Sequence, residues 1–277
     1  MPNEDRPRVL VIAGYDQSGG AGVLADVKTL EAHGVYGYGV CTAMTYQNER
    51  EIRRVDWLPE AAVFEQIDLC FASADFGWVK MGITASMGSA AAIIRHVRQH
   101  NPAVRVVLDP VIKASSGTTF WATPAAGAGS GHEERRAGEG SGHVERTAWA
   151  EVVAECFVLT PNWEEVGWLY PGEDVEARCR ELSRGGSHIY LKGGHNPLFP
   201  GRDTLWSQGE ALVMEAGESV VYPKHGSGCV LASSLAAGLA LGHPLPEAAL
   251  RAKRYTANFL TSNKSLLGWH CWNGCIS

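Results

Sequence analysis

The chain has 277 residues, 45% of them apolar, and 32 glycines, which suits one large globular α/β domain and excludes a disordered chain. A formal charge of −6 argues against a general nucleic-acid surface, so any phosphorylated ligand must be held by a local site. No run reaches the roughly 20 apolar residues needed to span a bilayer; the charged opening lacks a signal-peptide core, and seven scattered cysteines suit reduced thiols, so the expected location is the cytoplasm.

Arg8 to Ala13 is a continuous apolar run of the kind found in central parallel strands. It ends in the glycine-rich stretch Gly14 to Gly22, and Leu24, Val27 and Leu30 then mark a helix stopped by Gly34. The glycines do not fit G-x-G-x-x-G, so the turn admits close backbone approach without naming a ligand. Tyr36 to Thr42 reads as a strand. Val63, Ile67, Cys70 and Phe71 give a helix after Pro59, and Trp78 to Met81 gives a short strand. Ala90, Ile93, Ile94 and Val97 form a helix that Pro102 ends, and Val104 to Leu108 is a strand closed by Asp109-Pro110.

From Ala125 to Arg146 the composition turns to glycine and mixed charge, too polar to order itself. Gly129-Ser130-Gly131-His132-Glu133-Glu134-Arg135 returns there as Gly140-Ser141-Gly142-His143-Val144-Glu145-Arg146. This segment, about 125–146, is expected to be a disordered surface insert in a single domain spanning 1–277. A helix from Trp149 to Ala154 follows, then strands Cys156 to Leu159 and Ile189 to Lys192, with a helix through Val175, Cys179 and Leu182 between them. Asp203 to Ser207 and Ala211 to Glu215 predict an antiparallel hairpin, and about Pro246 to Leu260 a last helix. Strand–helix alternation predicts a mostly parallel sheet with helices on both faces.

One stretch organises the rest. A β-type run from Ser219 to Tyr222 leads into Lys224-His225-Gly226-Ser227-Gly228-Cys229, and Leu231, Leu235 and Leu239 then mark one face of a helix. A glycine turn at a helix N-terminus points free N–H groups outward and favours an anion. The same field favours a thiolate at Cys229. Gly14, Asp109, Asn162, Gly193 and Gly226 all fall at predicted strand ends, which share one edge of a parallel sheet. Their convergence points to a phosphorylated ligand and to phosphoryl transfer.

The segments Ile12 to Gly22, Ala25 to Thr29, Thr42 to Asn48, Leu108 to Val111, Thr160 to Asn162, Leu191 to His195 and His225 to Cys229 resemble, in that order, the hydroxymethylpyrimidine/phosphomethylpyrimidine kinases of the ribokinase-like superfamily. The resemblance implies a three-layer αβα fold with a mostly parallel central sheet. It implies ATP- and Mg²⁺-dependent phosphorylation of a pyrimidine hydroxymethyl group and then of the monophosphate, in thiamin biosynthesis, by a homodimer that binds no nucleic acid or membrane. Gly226, Ser227, Gly228 and Cys229 would form the anion hole, with Cys229 as general base where relatives outside this branch carry an aspartate. Asp109 and Glu165 would serve Mg²⁺, partly through water. Asn162, Lys192, Gly194 and His225 would border ATP, and Gly14, Asp26, Gln47, Ile83 and Val111 the pyrimidine. One amide at Gln47 can satisfy both the amine donor and the ring-nitrogen acceptor of an aminopyrimidine.

Three departures stand out: Lys113-Ala114-Ser115-Ser116-Gly117 displaces the family's phosphate-neutralising lysine, Lys224 replaces a threonine, and the insert follows Trp121. A pyridoxal kinase, a Cys–His thiol hydrolase using Cys229 with His225 or His195, and a non-catalytic vitamer or nucleotide sensor are the competing readings. Gln47 speaks against the first, and the glycine loops go unexplained by the second.

Overall fold

The computed structural model describes residues 6–112, 120, 141–217 and 220–271. Among them nine strands form one sheet: β1 (Arg8–Asp16), β2 (Tyr36–Gln47), β3 (Ile52–Trp57), β4 (Trp78–Met81), β5 (Arg105–Leu108), β6 (Val158–Leu159), β7 (His188–Leu191), β8 (Asp203–Ser207) and β9 (Glu210–Met214). Their order is β3-β2-β1-β4-β5-β6-β7-β8-β9. The six strands from β2 to β7 in that order are mutually parallel, while β3, β8 and β9 pair antiparallel at the two edges. The helices are α1 (Gly22–Ala32), α2 (Glu60–Ser73), α3 (Met87–His100), α4 (Ser141–Glu155), α5 (Trp163–Leu169), α6 (Val175–Arg184), α7 (Ser227–Ala240) and α8 (Leu245–Thr261).

The apolar run of β1 is buried on both faces because parallel neighbours and two helical layers enclose it. Side chains alternate along it: Val9 and Val11 pack with Leu30 of α1, Leu231 and Leu235 of α7 and Ala248 and Ala252 of α8. Leu10 and Ile12 turn to the opposite face, against Ile67 of α2, Ile93 and Val97 of α3 and Val152 of α4. The expected three-layer architecture is thus the observed one.

Four local expectations change. β2 runs on to Gln47 and is joined by β3, a strand that the charged sequence Arg53-Arg54 concealed. Val220 to Pro223 adopts no regular structure, so the turn before α7 hangs from a loop; Ser219, where the expected strand 219–222 begins, lies outside the described residues. Asn162 opens α5 with a capping box. Finally, α4 begins at Ser141, so the last six residues assigned to the insert, 141–146, are helical, while 125–140 and Lys113 lie outside the described residues.

Candidate active site

The glycine-rich turns after β1 and before α7 form one unit. Gly226 holds a left-handed conformation, φ 73°, just before α7, and a Cβ there would run into the carbonyl oxygen of Gly20. Only glycine combines that backbone with that approach. The His225 ring sits 2.8 Å from Asp16 Oδ2 through Nε2. Asp16 also accepts from the Ser18 backbone and hydroxyl and from the Ala21 N–H, each at 2.9 Å. Burial pushes the Asp16 carboxyl up, but the bonds from His225 and Ser18 outweigh it and hold it below its ordinary value. His225 thus joins the turn after β1 to the turn before α7. Lys224, the other departure in this stretch, donates to the carbonyls of Asn263 and Ser265 at 2.5 and 2.8 Å, so its charge ties down the loop after α8.

The first helical bond of α7 runs from Val230 N–H to the Gly226 carbonyl, 3.0 Å. The N–H groups of Ser227, Gly228 and Cys229 are left without an intrahelical acceptor at the positive end of the helix. Beside them lies the end of β5. Asp109, 1% exposed, accepts from Lys192 Nζ at 2.7 Å and from the Thr160 hydroxyl at 3.2 Å, both on Oδ1. Its Oδ2 is buried with no hydrogen-bond partner among the described residues. A Cβ on Gly228 would lie 3.5 Å from that oxygen and 3.3 Å from Lys192 Nζ, so both groups look onto the first turn of α7.

Glu165 joins the cluster through the α5 cap. Its carboxylate accepts from the Asn162 N–H at 2.7 Å while Asn162 Oδ1 accepts from the Glu165 N–H at 2.9 Å. Lys192 Nζ stands 3.6 Å from the same carboxylate oxygen, Oε2. Burial pushes the Glu165 carboxyl up to about 7, against the pull of the Lys192 ammonium. Unpaired Asp109 Oδ2 and this second carboxylate are hard oxygen donors at one spot, and they fit Mg²⁺. Gly194 is exposed in the 3₁₀ turn Gly193–His195 that follows β7.

Cys229 differs from expectation in its charge state. The sulfur lies deep enough that burial, reinforced by the Asp26 and Asp109 carboxylates, pushes its pKa up to about 11, against the Lys80 ammonium and the Gly22 N–H. The helix field does not win, and the resting group is a thiol. Asp26 is fully buried, and its oxygens accept from Lys80 at 2.7 Å and from the Ser233 hydroxyl at 2.7 Å. The pair lies under Cys229, and Lys80 is the residue that sequence reasoning missed. Its signal was present: a lysine inside the apolar strand Trp78-Val79-Lys80-Met81 needs a buried counter-charge.

On the other flank, the Ile83 side chain lies where a Cβ of Gly14 would stand, with Thr45 Cγ2 beyond it at 3.6 Å. Ile83 and Val111 are both half-buried just past the ends of β4 and β5. Gln47 is buried at the end of β2, and its amide makes no hydrogen bond among the described residues. Of the expected site residues, the fold therefore brings Gly226, Ser227, Gly228, Cys229, Asp109, Asn162, Glu165 and Lys192 to one stretch of the sheet edge, with Gly14, Gln47, Ile83 and Val111 at neighbouring strand ends.

The sequence matches the phosphomethylpyrimidine kinase family over residues 16–128 and 141–271, which takes in every candidate site residue except Gly14 and passes over 129–140, about one unit of the internal repeat. It is 36% identical over 254 residues to the hydroxymethylpyrimidine/phosphomethylpyrimidine kinase of Rhizobium meliloti (strain 1021), covering 89% of this chain and 87% of that one. Its fold matches the crystal structure of phosphomethylpyrimidine kinase from Clostridium difficile 630 with a TM-score of 0.70 at 27% identity, covering 91% and 98% of the two chains. Pyridoxal kinase from Staphylococcus aureus in complex with AMP-PCP and pyridoxal shares the fold, TM-score 0.75 at 21% identity, covering 99% and 97%. The match runs along nearly the whole chain, and the chain belongs to the phosphomethylpyrimidine kinase family.

Proposed function

We propose that this chain transfers the γ-phosphoryl group of ATP to the hydroxymethyl oxygen of 4-amino-5-hydroxymethyl-2-methylpyrimidine, and then phosphorylates the resulting monophosphate, the two kinase steps of thiamin biosynthesis. The observation that carries this reading is the meeting of three free N–H groups at the start of α7 with Lys192 and the unpartnered Asp109 Oδ2. Such a cradle stabilises charge on a transferring phosphoryl group, where positioning and electrostatics supply most of the rate.

Asp109 and Glu165, directly or through water, would hold Mg²⁺, which when bound neutralises charge on the nucleotide phosphates. Lys192 meets the same phosphates as a mobile cation released from Asp109. Asn162 fixes the first turn of α5 and so holds Glu165 in place. Gly194 leaves room for the nucleotide beyond β7. As the substrate oxygen–phosphorus bond forms, the γ-to-β bridge breaks and ADP leaves. The alcohol proton passes to the Cys229 sulfur, which must first lose its own to solvent water. Lys80, close beneath, stabilises that thiolate.

Gln47 presents its free amide to the aminopyrimidine edge, and Gly14, Ile83 and Val111 pack on the ring. Pyridoxal lacks that amine–nitrogen pair, so a buried amide left unpaired opposes it by about 1–3 kcal/mol. Among described residues no helix is long and apolar enough to cross a membrane. A homodimer and a cytoplasmic location complete the proposal. ADP release measured with the hydroxymethylpyrimidine, its monophosphate and pyridoxal side by side tests it: turnover of both pyrimidines well above pyridoxal is expected. Pyridoxal as the preferred acceptor would replace it with the vitamin B6 reading, and ligand-induced thermal stabilisation without turnover would make the chain a sensor.

A further inference from the structure

A second cluster of polar side chains lies away from the cleft. α3 starts just past the carboxyl end of β4, at the edge that carries the site, and runs back along the sheet. His96 and His100 stand in its last two turns, one helical turn apart and therefore on one face. Asp68 of α2 faces them. Both imidazole Nε2 atoms meet the same carboxylate oxygen, Asp68 Oδ1, at 2.6 Å from His96 and 2.8 Å from His100.

The rings are held in that orientation. Phe64 stacks on His96 with centroids 4.3 Å apart and planes 13° apart, and Phe71 stacks on His100 at 4.8 Å and 7°. Each phenylalanine comes from α2, as Asp68 does, so one helix supplies the carboxylate and both supporting surfaces. Side-chain exposures of 18% and 30% for the histidines leave the nitrogens reachable from solvent without letting the rings swing freely. One ligand atom from each of the three residues lies within 4.8 Å of the other two.

Two imidazole nitrogens and one carboxylate oxygen suit a borderline first-row ion and not a hard one such as Mg²⁺. Zinc bonds of about 2.0–2.2 Å in a tetrahedron separate the ligand atoms by about 3.3 Å. From 2.6 and 2.8 Å the imidazoles need to part from the oxygen by roughly 0.7 and 0.5 Å, and the two nitrogens, within 4.8 Å of each other, need to stand about 3.3 Å apart, shifts within reach of side-chain rotation. We propose that Asp68, His96 and His100 form a surface site for Zn²⁺, with water in the fourth position, that staples α2 to α3 on the outer helical layer. Because such an ion binds the folded chain only, it stabilises α2 and α3 without entering the phosphoryl-transfer cleft.

The test uses untagged, chelator-treated protein titrated with Zn²⁺ by calorimetry and with Co²⁺ by visible absorption. One saturable Zn²⁺ per chain is expected, with a cobalt d–d band and a rise in melting temperature under zinc. His96→Ala, His100→Ala and Asp68→Asn should each weaken binding by more than about tenfold, the lower end of what loss of even an outer-shell partner costs. ADP release under saturating MgATP should be unchanged in all three. If an alanine variant fails to give a folded circular dichroism spectrum, His96→Gln and His100→Gln keep a planar polar group on the phenylalanine and replace it. Absence of saturable binding in the parent, or one-equivalent binding that survives in the His96/His100 double variant, overturns the proposal.

Discussion

Cys229 offers the sharpest test of how the structure does chemistry, because its two candidate roles differ in pH dependence. With the thiol pushed up to about 11, the thiolate is a small minority at pH 7.5, as each pH unit below the pKa is a factor of ten. The sign follows from the group being an acid: below its pKa the base is missing, and it accumulates as pH rises. If the thiolate takes the substrate proton, log kcat/KM should climb by about one per pH unit between pH 7 and 9.5 with no plateau. Cys229→Ala should abolish that slope and lower kcat by about two to four powers of ten at the upper end, while the backbone N–H groups keep nucleotide affinity nearly intact. Cys229→Asp, placed against the same Lys80, should recover part of the rate and flatten the profile above neutral pH. The assay is a steady-state ADP-release profile across pH on all three proteins. An alanine variant with the parent's kcat and the parent's slope would show that the cysteine only fills space.

Three further outcomes are expected. Gln47→Met should lower kcat/KM for the hydroxymethylpyrimidine by about 5- to 150-fold, the equivalent of 1–3 kcal/mol, and leave pyridoxal turnover nearly unchanged; equal losses would mean that Gln47 only supports β2. Lys80→Met leaves Asp26 buried without its counter-charge, so urea unfolding should show a loss of about 3–5 kcal/mol, largely recovered in Lys80→Met/Asp26→Leu. Replacing 125–140 with a short Gly-Ser turn, which spares α4, should keep activity within a few-fold and the melting temperature within a few degrees; complete loss of activity in the folded variant would contradict a dispensable insert.

The parts of this protein that sequence made legible are those written in local pattern. The apolar runs in β1, β4 and β5 announced buried parallel strands, and Leu231, Leu235 and Leu239 announced α7, since period and composition alone specify them. β3 escaped because Arg53, Arg54 and Asp56 face solvent at a sheet edge, where strands need few apolar residues. The run 220–222 misled in the other direction, as Val220 and Val221 pair with no strand among the described residues. At the site, residue identity was readable and electrostatic state was not. The helix-terminal position of Cys229 argued for a thiolate, whereas the burial that opposes it, and the carboxylates of Asp26 in α1 and Asp109 just past β5, come from parts far away in the chain. The clamp was hidden for the same reason: the partner of His225, Asp16, is 209 positions earlier and meets it only in the fold.

Which molecule receives the phosphoryl groups is answered most directly by following them. Protein, MgATP and 4-amino-5-hydroxymethyl-2-methylpyrimidine, observed by ³¹P NMR over a time course, should show a pyrimidine monophosphate signal that grows first and then gives way to the paired signals of a pyrimidine diphosphate, with ADP rising in step with each transfer. A mixture in which the pyrimidine stays unphosphorylated while added pyridoxal is converted to its phosphate, or in which ATP is consumed only by hydrolysis to inorganic phosphate, would contradict a pyrimidine kinase built on the Gly226–Cys229 turn.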